Sequence, residues 1–426
     1  MRILLISQEM PPETDWGGIG TYVAALGPAL AAAGAEVHLL SVVPGQPASD
    51  RVVDGMIVHR RGLRRPPGMG RATRLPESWE RVTVAAVVER TRRTLDFAPD
   101  VVEAPEWRAE GLGVALGRRV PVVVRLHSAA EQLFPYSGRT GRDARLAVWL
   151  ERRGVAAADV VVSTPSNLAD LGARLNGGAA AMPSMRAVNL PVPVPVPVPV
   201  VPGPGDPAGP VPAGAQRVTF VGRLERRKGP ETLVAAAHAV LAEVPGARFR
   251  FVGADTGLPG GGSYADFLHT EARRRGVEHA IEVAGHRPHA DALAELRRAA
   301  VCAFPARHET FGYGAAEAAA AGRPVVASRI PAFASLLDGA ALLVDPGDVP
   351  GWAQAIVGLL RDPQRAQQLG AAAAERVRER CAPDRIAAEM LDAYAYAEAR
   401  GRARGRGRQR RPGTRERRIR ANTPVS

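Results

Sequence analysis

Between residues 191 and 212 the chain carries ten prolines, much of the stretch in strict Pro-Val alternation. Proline fixes φ and lacks a backbone N–H, so this stretch can be neither helix interior nor central strand. Its expected form is an extended polyproline II spacer. A chain of 426 residues is also too long for one ordinary hydrophobic core. The spacer therefore separates two folded halves.

Both halves repeat one pattern, in which short Val/Leu/Ile runs alternate with Ala-rich stretches. That alternation predicts α/β architecture with parallel sheets buried on both faces. In the first half, strands are expected at residues 1–7, 36–43, 52–60, 100–103, 120–126 and 160–163, with helices over 21–33, 81–95 and 142–158. Residues 64–80, rich in Arg, Pro and Gly, are expected as a loop, and 164–166 as a helix start. In the second half, strands are expected at 217–221, 248–252, 281–284, 301–304, 325–328 and 341–344, and helices begin at 231, 264, 291 and after Gly314. Further helices run from 350 to about 400.

Composition narrows the functional classes. Only four consecutive apolar residues precede Gln8, against the roughly 7–15 of a signal-peptide core. No run approaches the roughly 18 apolar residues of a membrane helix, so a cytoplasmic protein is expected. Cys302 and Cys381, one in an expected strand and one just before a proline, do not suggest a disulfide framework. The formal charge of +13 is concentrated: residues 400–420 hold eleven Arg and one Glu, leaving a nearly neutral globular part. This tail is either a solvated, disordered end or a contact for an anionic membrane surface or nucleic acid, nucleic acid being the less expected partner.

Several residues stand at expected strand ends, where open α/β sheets bind ligands. Gly17, Gly18 and Gly20 lie between the first strand and first helix, a place for a tight turn or for close approach of a phosphate. His127 follows a strand and is either structural or faces a sugar hydroxyl. Arg223 and Lys228 follow the first strand of the second half, and Lys228 is the only lysine in the chain. Glu309 ends a strand, and Glu317 lies in the helix that follows. Eight residues of helix span about 12 Å, so these carboxylates are not expected to share one bond as a glycosidase pair does. His286, His289 and His308 show no recognisable metal-ligand pattern.

Four motifs together resemble the retaining glycosyltransferases of family 4: Gly17-Gly18, Gly222-Arg223-Leu224 with Lys228-Gly229, Glu309-Thr-Phe-Gly-Tyr-Gly-Ala-Ala-Glu317, and Gly322-Arg-Pro-Val-Val-Ala327. The resemblance implies the GT-B fold, two Rossmann-like domains with parallel sheets facing across a cleft. It divides the chain into an acceptor-side domain over 1–190, a linker over 191–213 and a nucleotide-sugar domain over 214–382. A helix over 383–400 then crosses back to the first domain, followed by a disordered tail over 401–426. It also implies a nucleotide-diphosphate sugar donor, no cofactor and no metal. By the same resemblance Arg223 and Lys228 hold the diphosphate, Glu309 contacts the donor sugar, and the backbone at Phe311 and Gly312 helps bind it. Glu317 takes the ribose, His127 reaches the transferred sugar, and Gly18, beside Gly17, meets the phosphate. The acceptor would be a carbohydrate, a lipid-linked molecule or a small molecule, with residues 64–80 and 131–145 as acceptor loops. Two alternatives stand beside this: another GT-B nucleotide-sugar enzyme such as an epimerase, and an anionic-surface or nucleic-acid binder acting through the tail. The family's Asn-x-Val-Asp-like entry to the second domain is replaced here by Val188-Asn189-Leu190-Pro191 and the spacer.

Overall fold

The computed structural model describes residues 1–11, 17–63, 75–164, 167, 186–189, 191–194 and 216–409. The first sheet contains β1 (Arg2–Ile6), β2 (Glu36–Pro44), β3 (Ser49–Val53), β4 (Met56–Leu63), β5 (Val101–Pro105), β6 (Val122–Arg125), β7 (Val160–Ser163) and β8 (Arg186–Asn189). Its order is β3-β4-β2-β1-β5-β6-β7-β8, parallel except where β3 meets β4. Helices α1 (Gly18–Ala32), α2 (Pro76–Arg92), α3 (Leu112–Gly117), α4 (Ala130–Ser137) and α5 (Gly141–Ala157) cover it. The second sheet contains β9 (Arg217–Val221), β10 (Arg248–Val252), β11 (Ile281–Gly285), β12 (Val301–Phe304), β13 (Val325–Ser328) and β14 (Leu342–Val344). Its order is β11-β10-β9-β12-β13-β14, parallel throughout. Around it lie α6 (Glu231–Glu243), α7 (Tyr264–Arg274), α8 (His289–Arg297), α9 (Tyr313–Ala320), α10 (Pro331–Leu337), α11 (Val349–Arg361) and α12 (Pro363–Cys381), and α13 (Pro383–Gln409) ends the described chain.

Central strands β5, β6, β7, β12 and β13 are buried at every residue, which is why they are mostly apolar rather than alternating, with Glu103 on β5 and Arg125 at the end of β6 as buried charged exceptions. Strand order reverses between β1 and β5 in the first sheet and between β9 and β12 in the second. At such points the loops leaving adjacent strands diverge to opposite faces and open a crevice. None of the described helices is long and apolar enough to cross a membrane.

The structure corrects several local expectations. Residues 52–60 are not one strand but belong to a hairpin, β3 and β4, folded at Asp54-Gly55 with φ of 48° and 81°. Two left-handed residues are what a two-residue hairpin turn needs, and the apolar run around them masked that signal. Helix α2 begins at Pro76, inside the expected loop 64–80; its N-terminus is held by the Asp143 carboxylate, which accepts from the Ser78 N–H at 2.9 Å and hydroxyl at 2.7 Å. Residues 131–145, expected as a loop, hold most of α4 and the start of α5, since buried Phe134 outweighs the helix-breaking Pro135. Helices α3 and α10 were too short to show a period, and residues 186–189 form edge strand β8 on β7. Residues 12–16, 64–74, 165–166, 168–185, 190, 195–215 and 410–426, including most of the Pro-Val stretch and the tail beyond α13, lie outside the described residues.

The start of the spacer is anchored: Val192 and Val194 are buried, and the Val194 N–H donates to the Cys381 carbonyl at 2.9 Å. Helix α13 then returns to the first sheet, packing on α1. It runs to Gln409, so residues 401–409, expected within the disordered tail, are helical. Arg404 pairs with the buried Asp159 at 2.9 Å. Nearer its start, the Tyr394 hydroxyl donates to Glu103 on β5, which also accepts from Tyr22 of α1 at 2.7 Å. Burial pushes the Glu103 carboxyl above its ordinary range, against both tyrosine hydrogen bonds and the charge of Arg125. Tyr394→Phe removes one donor from this enclosed group and is expected to cost about 1–3 kcal/mol. An unchanged midpoint in urea unfolding would show that the hydroxyl does not hold the helix.

Candidate active site

The carboxyl ends of the two sheets border one cleft of about 1170 Å³. Gly17, Gly18, His127, Arg223, Lys228, Glu309, Phe311, Gly312 and Glu317 all line it. On the second-domain wall, the loop after β9 runs beside the loop after β10, with the Leu224 N–H donating to the Ala254 carbonyl at 2.8 Å. The chain then turns, and the Lys228 N–H donates to the Glu225 carbonyl at 3.0 Å. Gly229 has φ of +65°, and a Cβ there would lie 2.3 Å from the Pro305 carbonyl oxygen. Only glycine lets this turn rest on the exit of β12. The Arg307 N–H donates to the Arg227 carbonyl at 2.8 Å, fixing the two loops together.

That contact decides the electrostatics. The Glu309 side chain is only 9% exposed and accepts from Lys228 Nζ and from the Arg227 guanidinium at 3.2 Å. Burial alone would raise the Glu309 pKa, but the two cations outweigh it and hold the carboxyl at about 2. Burial lowers the Lys228 pKa, against the attraction of Glu309. Arg227 also binds Glu225 at 2.6 Å and the His308 carbonyl at 3.0 Å. Arg223 is different: its side chain is 54% exposed and lies 3.4 Å from Glu225.

Gly312 precedes α9 with φ of 90°, and a Cβ there would lie 2.3 Å from the Phe333 ring. A Cβ on Gly314 would meet the Val221 carbonyl at 2.9 Å, so the helix start lies directly on the β9 exit. Farther along α9, the Glu317 carboxylate meets His289 Nε2 at 2.8 Å. Glu309 and Glu317 thus have separate partners. His289 is taken by Glu317 and the His308 ring stacks on Tyr136; among the described residues no group of three His, Cys, Asp or Glu side chains is arranged to hold a metal ion.

On the first-domain wall, Gly17 caps α1 in an extended conformation. The Glu9 carboxylate sits at this helix start, accepting from the Gly20 N–H at 2.8 Å, and a Cβ on Gly17 would lie 2.3 Å from its oxygen. A Cβ on Gly18 would stand 3.7 Å from the Tyr313 ring of the other wall. The His127 ring is buried edge-on to Tyr22, 4.9 Å between centroids. Burial, and then the charge of Arg125, lower its pKa to about 3, so the imidazole is neutral near neutral pH. Its backbone N–H donates to both oxygens of Glu106, at 2.8 and 2.7 Å. Burial pushes Glu106 up to about 8; burial and the charge of Glu9 do the same for Glu110. Thr310 joins the walls through Ser128 Oγ at 3.1 Å and the Thr164 hydroxyl, which donates to its carbonyl at 2.9 Å.

Sequence reasoning missed Arg227, Glu9, Glu106, Thr310 and the pairing of His289 with Glu317. Arg227 had no distinguishing signal, because in Arg226-Arg227-Lys228 only folding decides which cation is buried. Glu106 was the more detectable, an acid three residues beyond the expected buried strand at 100–103.

Residues 17–182 match a family described as glycosyl transferase 4-like domain, and residues 215–362 one described as glycosyl transferases group 1. The chain is 30% identical over 398 residues to glycogen synthase of Mycobacterium tuberculosis (strain CDC 1551 / Oshkosh), covering 88% of this chain and 90% of that protein. It is likewise 30% identical over 385 residues to D-inositol 3-phosphate glycosyltransferase of Arthrobacter sp. (strain FB24), covering 86% and 87%. Among solved structures, sucrose-phosphate synthase from Thermosynechococcus elongatus matches with a TM-score of 0.73 at 26% identity, over 94% of this chain and 99% of that one. With this sequence kinship spanning both domains, and with two parallel-sheet domains bordering one cleft, the chain belongs to the family 4 glycosyltransferases of GT-B fold.

Proposed function

We propose that this glycosyltransferase draws its sugar from a nucleoside-diphosphate donor and transfers it with retention at the anomeric carbon, using no metal ion or other cofactor. The observation that carries this is the ion-paired cluster of Glu309, Lys228 and Arg227 at the second switch point, beside exposed Arg223. In this reading Arg223 and Lys228 hold the diphosphate, where fixed cations offset the charge that grows as it leaves. Glu309 does two things: it positions the Lys228 ammonium and accepts from hydroxyls of the donor sugar. The N-terminal backbone of α9 around Phe311 and Gly312 adds donors, and Glu317 accepts from the ribose hydroxyls. His127, neutral, exchanges hydrogen bonds with the transferred sugar from the opposite wall, and the start of α1 at Gly17 and Gly18 meets the donor from the first domain. The bond from the anomeric carbon to the diphosphate breaks and the acceptor oxygen bonds on the same face. The acceptor's proton passes to the departing phosphate.

The relatives named above differ in the acceptors their names imply, so the acceptor class stays broad: a carbohydrate, a lipid-linked molecule or a small molecule. Thermal-shift measurements against UDP, ADP and GDP test the donor class directly, because a ligand that binds the native state stabilises it. No shift with any of the three at millimolar concentration would overturn the proposal.

The two glutamates are expected to separate kinetically. Glu317→Ala should weaken nucleoside-diphosphate binding about tenfold, whereas Glu309→Gln should lower kcat about 10–100-fold with a far smaller change in that affinity. Calorimetry and steady-state rates check this, and equal losses of affinity would contradict the division. Lys228→Ala leaves both Glu309 and the phosphate without their ammonium and is expected to lower donor affinity and kcat by about tenfold each. Unaltered kinetics would remove Lys228 from the site. Initial rates should be the same with and without excess EDTA; strict dependence on a divalent ion would refute metal independence.

A further inference from the structure

We propose that the outward side of helices α2 and α5 docks onto an anionic lipid surface. Helix α1 connects β1 to β2 in one direction along the sheet, while α2 and α5 lie in connections running the other way. Right-handed crossovers therefore put α2 and α5 together on the face opposite α1. They also pack on each other, through Ser78 with Asp143 and through buried Arg81 with Glu151 at 2.9 Å. Their outward sides form one surface.

That surface is apolar and basic at once. Trp79 (42% exposed), Val82 (47%), Leu146 (36%) and Trp149 (54%) are half of the large apolar side chains that the described residues leave exposed. On α5 the exposed positions include Arg142, Arg145 and Arg153, spaced with Leu146 and Trp149 along one helical stripe, and no acid is exposed on that helix. The Arg153 guanidinium lies over the Trp149 ring, 5.8 Å from its centroid. The acids of the two helices are engaged elsewhere: Asp143 caps α2, Glu151 pairs with Arg81, Glu77 with Arg81 and Arg139, Glu80 with Arg108, and Glu89 with Arg92.

Tryptophan, aliphatic groups and arginine at one level match the boundary between phosphate headgroups and acyl chains. Each arginine near an anionic leaflet is drawn by its negative surface potential. A second copy of this chain fits less well, because the same face against itself sets these arginines against like charges. Nucleic acid would use the arginines and the tryptophans but not Leu146 and Val82. The face is separate from the donor cleft and stands whatever the donor is. It borders the cleft, since Glu77 on α2 pairs with cleft-lining Arg139 at 3.2 Å.

Vesicle flotation of the full chain tests this. Binding is expected to vesicles of phosphatidylglycerol and phosphatidylcholine at low salt, and not to phosphatidylcholine alone. The triple change R142E/R145E/R153E and the double change W79S/W149S should each reduce the bound fraction about tenfold or more. Both should leave the melting temperature unchanged, because the altered side chains are exposed. Failure of the full chain to bind overturns the proposal. So does undiminished binding by both variants, which would place the attraction elsewhere, as in the Arg-rich 401–426 segment. A dimer in sedimentation that W79S/W149S dissolves, or tighter binding of a single-stranded oligonucleotide that the triple change abolishes, equally overturns it.

Discussion

The second wall of the cleft depends on one buried carboxylate and the two cations that surround it. Taking Glu309 out of water is costly, and the cost is recovered only where opposite charges and hydrogen bonds meet it at close range. Lys228 and Arg227 do so because the loop after β9 lies on the exit of β12. That contact requires β9 and β12 to be neighbours in the sheet, and it requires a glycine at 229 beneath the Pro305 carbonyl. A one-residue change in either loop would separate the charges. Removing Lys228 would leave Glu309 with Arg227 alone, and removing Glu309 would leave the Lys228 ammonium without its carboxylate, so the members of the constellation depend on one another.

The first wall solves a different problem with neutral groups. His127, Glu106 and Glu110 are all buried, and burial drives each toward its uncharged form. A neutral imidazole can both donate and accept, which suits hydroxyl recognition better than a fixed charge. The cation cluster on the wall proposed for the donor thus faces these neutral groups, with Arg108 and Arg139 also lining the cleft on the first wall. The walls meet at the cleft through Thr310 and the His308 ring stacked on Tyr136, and behind it through α13, whose Tyr394 hydroxyl shares Glu103 with Tyr22. The spacer's start, anchored on Cys381 at the end of α12, enters beside this strap.

Much of the architecture was legible because parallel strands buried on both faces are dominated by apolar residues, and the stretches at 217–221, 248–252, 301–304 and 325–328 coincide with β9, β10, β12 and β13, although β10 alternates Arg with Phe. The residues at their ends, Arg223, Lys228, Glu309 and Glu317, could be singled out for the same reason: a strand end in such a sheet opens on a crevice. The misses have particular causes. The Asp54-Gly55 turn was hidden inside an apolar run, and α4 carries a proline that local propensity argues against but Phe134 burial overrides. Residues 401–409 read as a charged tail because composition does not show that α13 continues past Arg400 to set Arg404 on Asp159.

Sequence by itself determined the two-domain α/β division, the strand-end positions of the polar groups and the glycines that those turns require, since these follow from periodicity and backbone conformation within short windows. Tertiary structure alone decided which charges meet. Arg227 and Arg226 are chemically identical neighbours, yet one is buried against Glu309 and the other is exposed. Likewise Glu9 was placed on the start of α1, Glu106 on the His127 backbone and His289 on Glu317 by contacts between segments 11 to 28 residues apart. Ionisation depends on burial and on partners brought from other loops, and neither is a property of the local sequence.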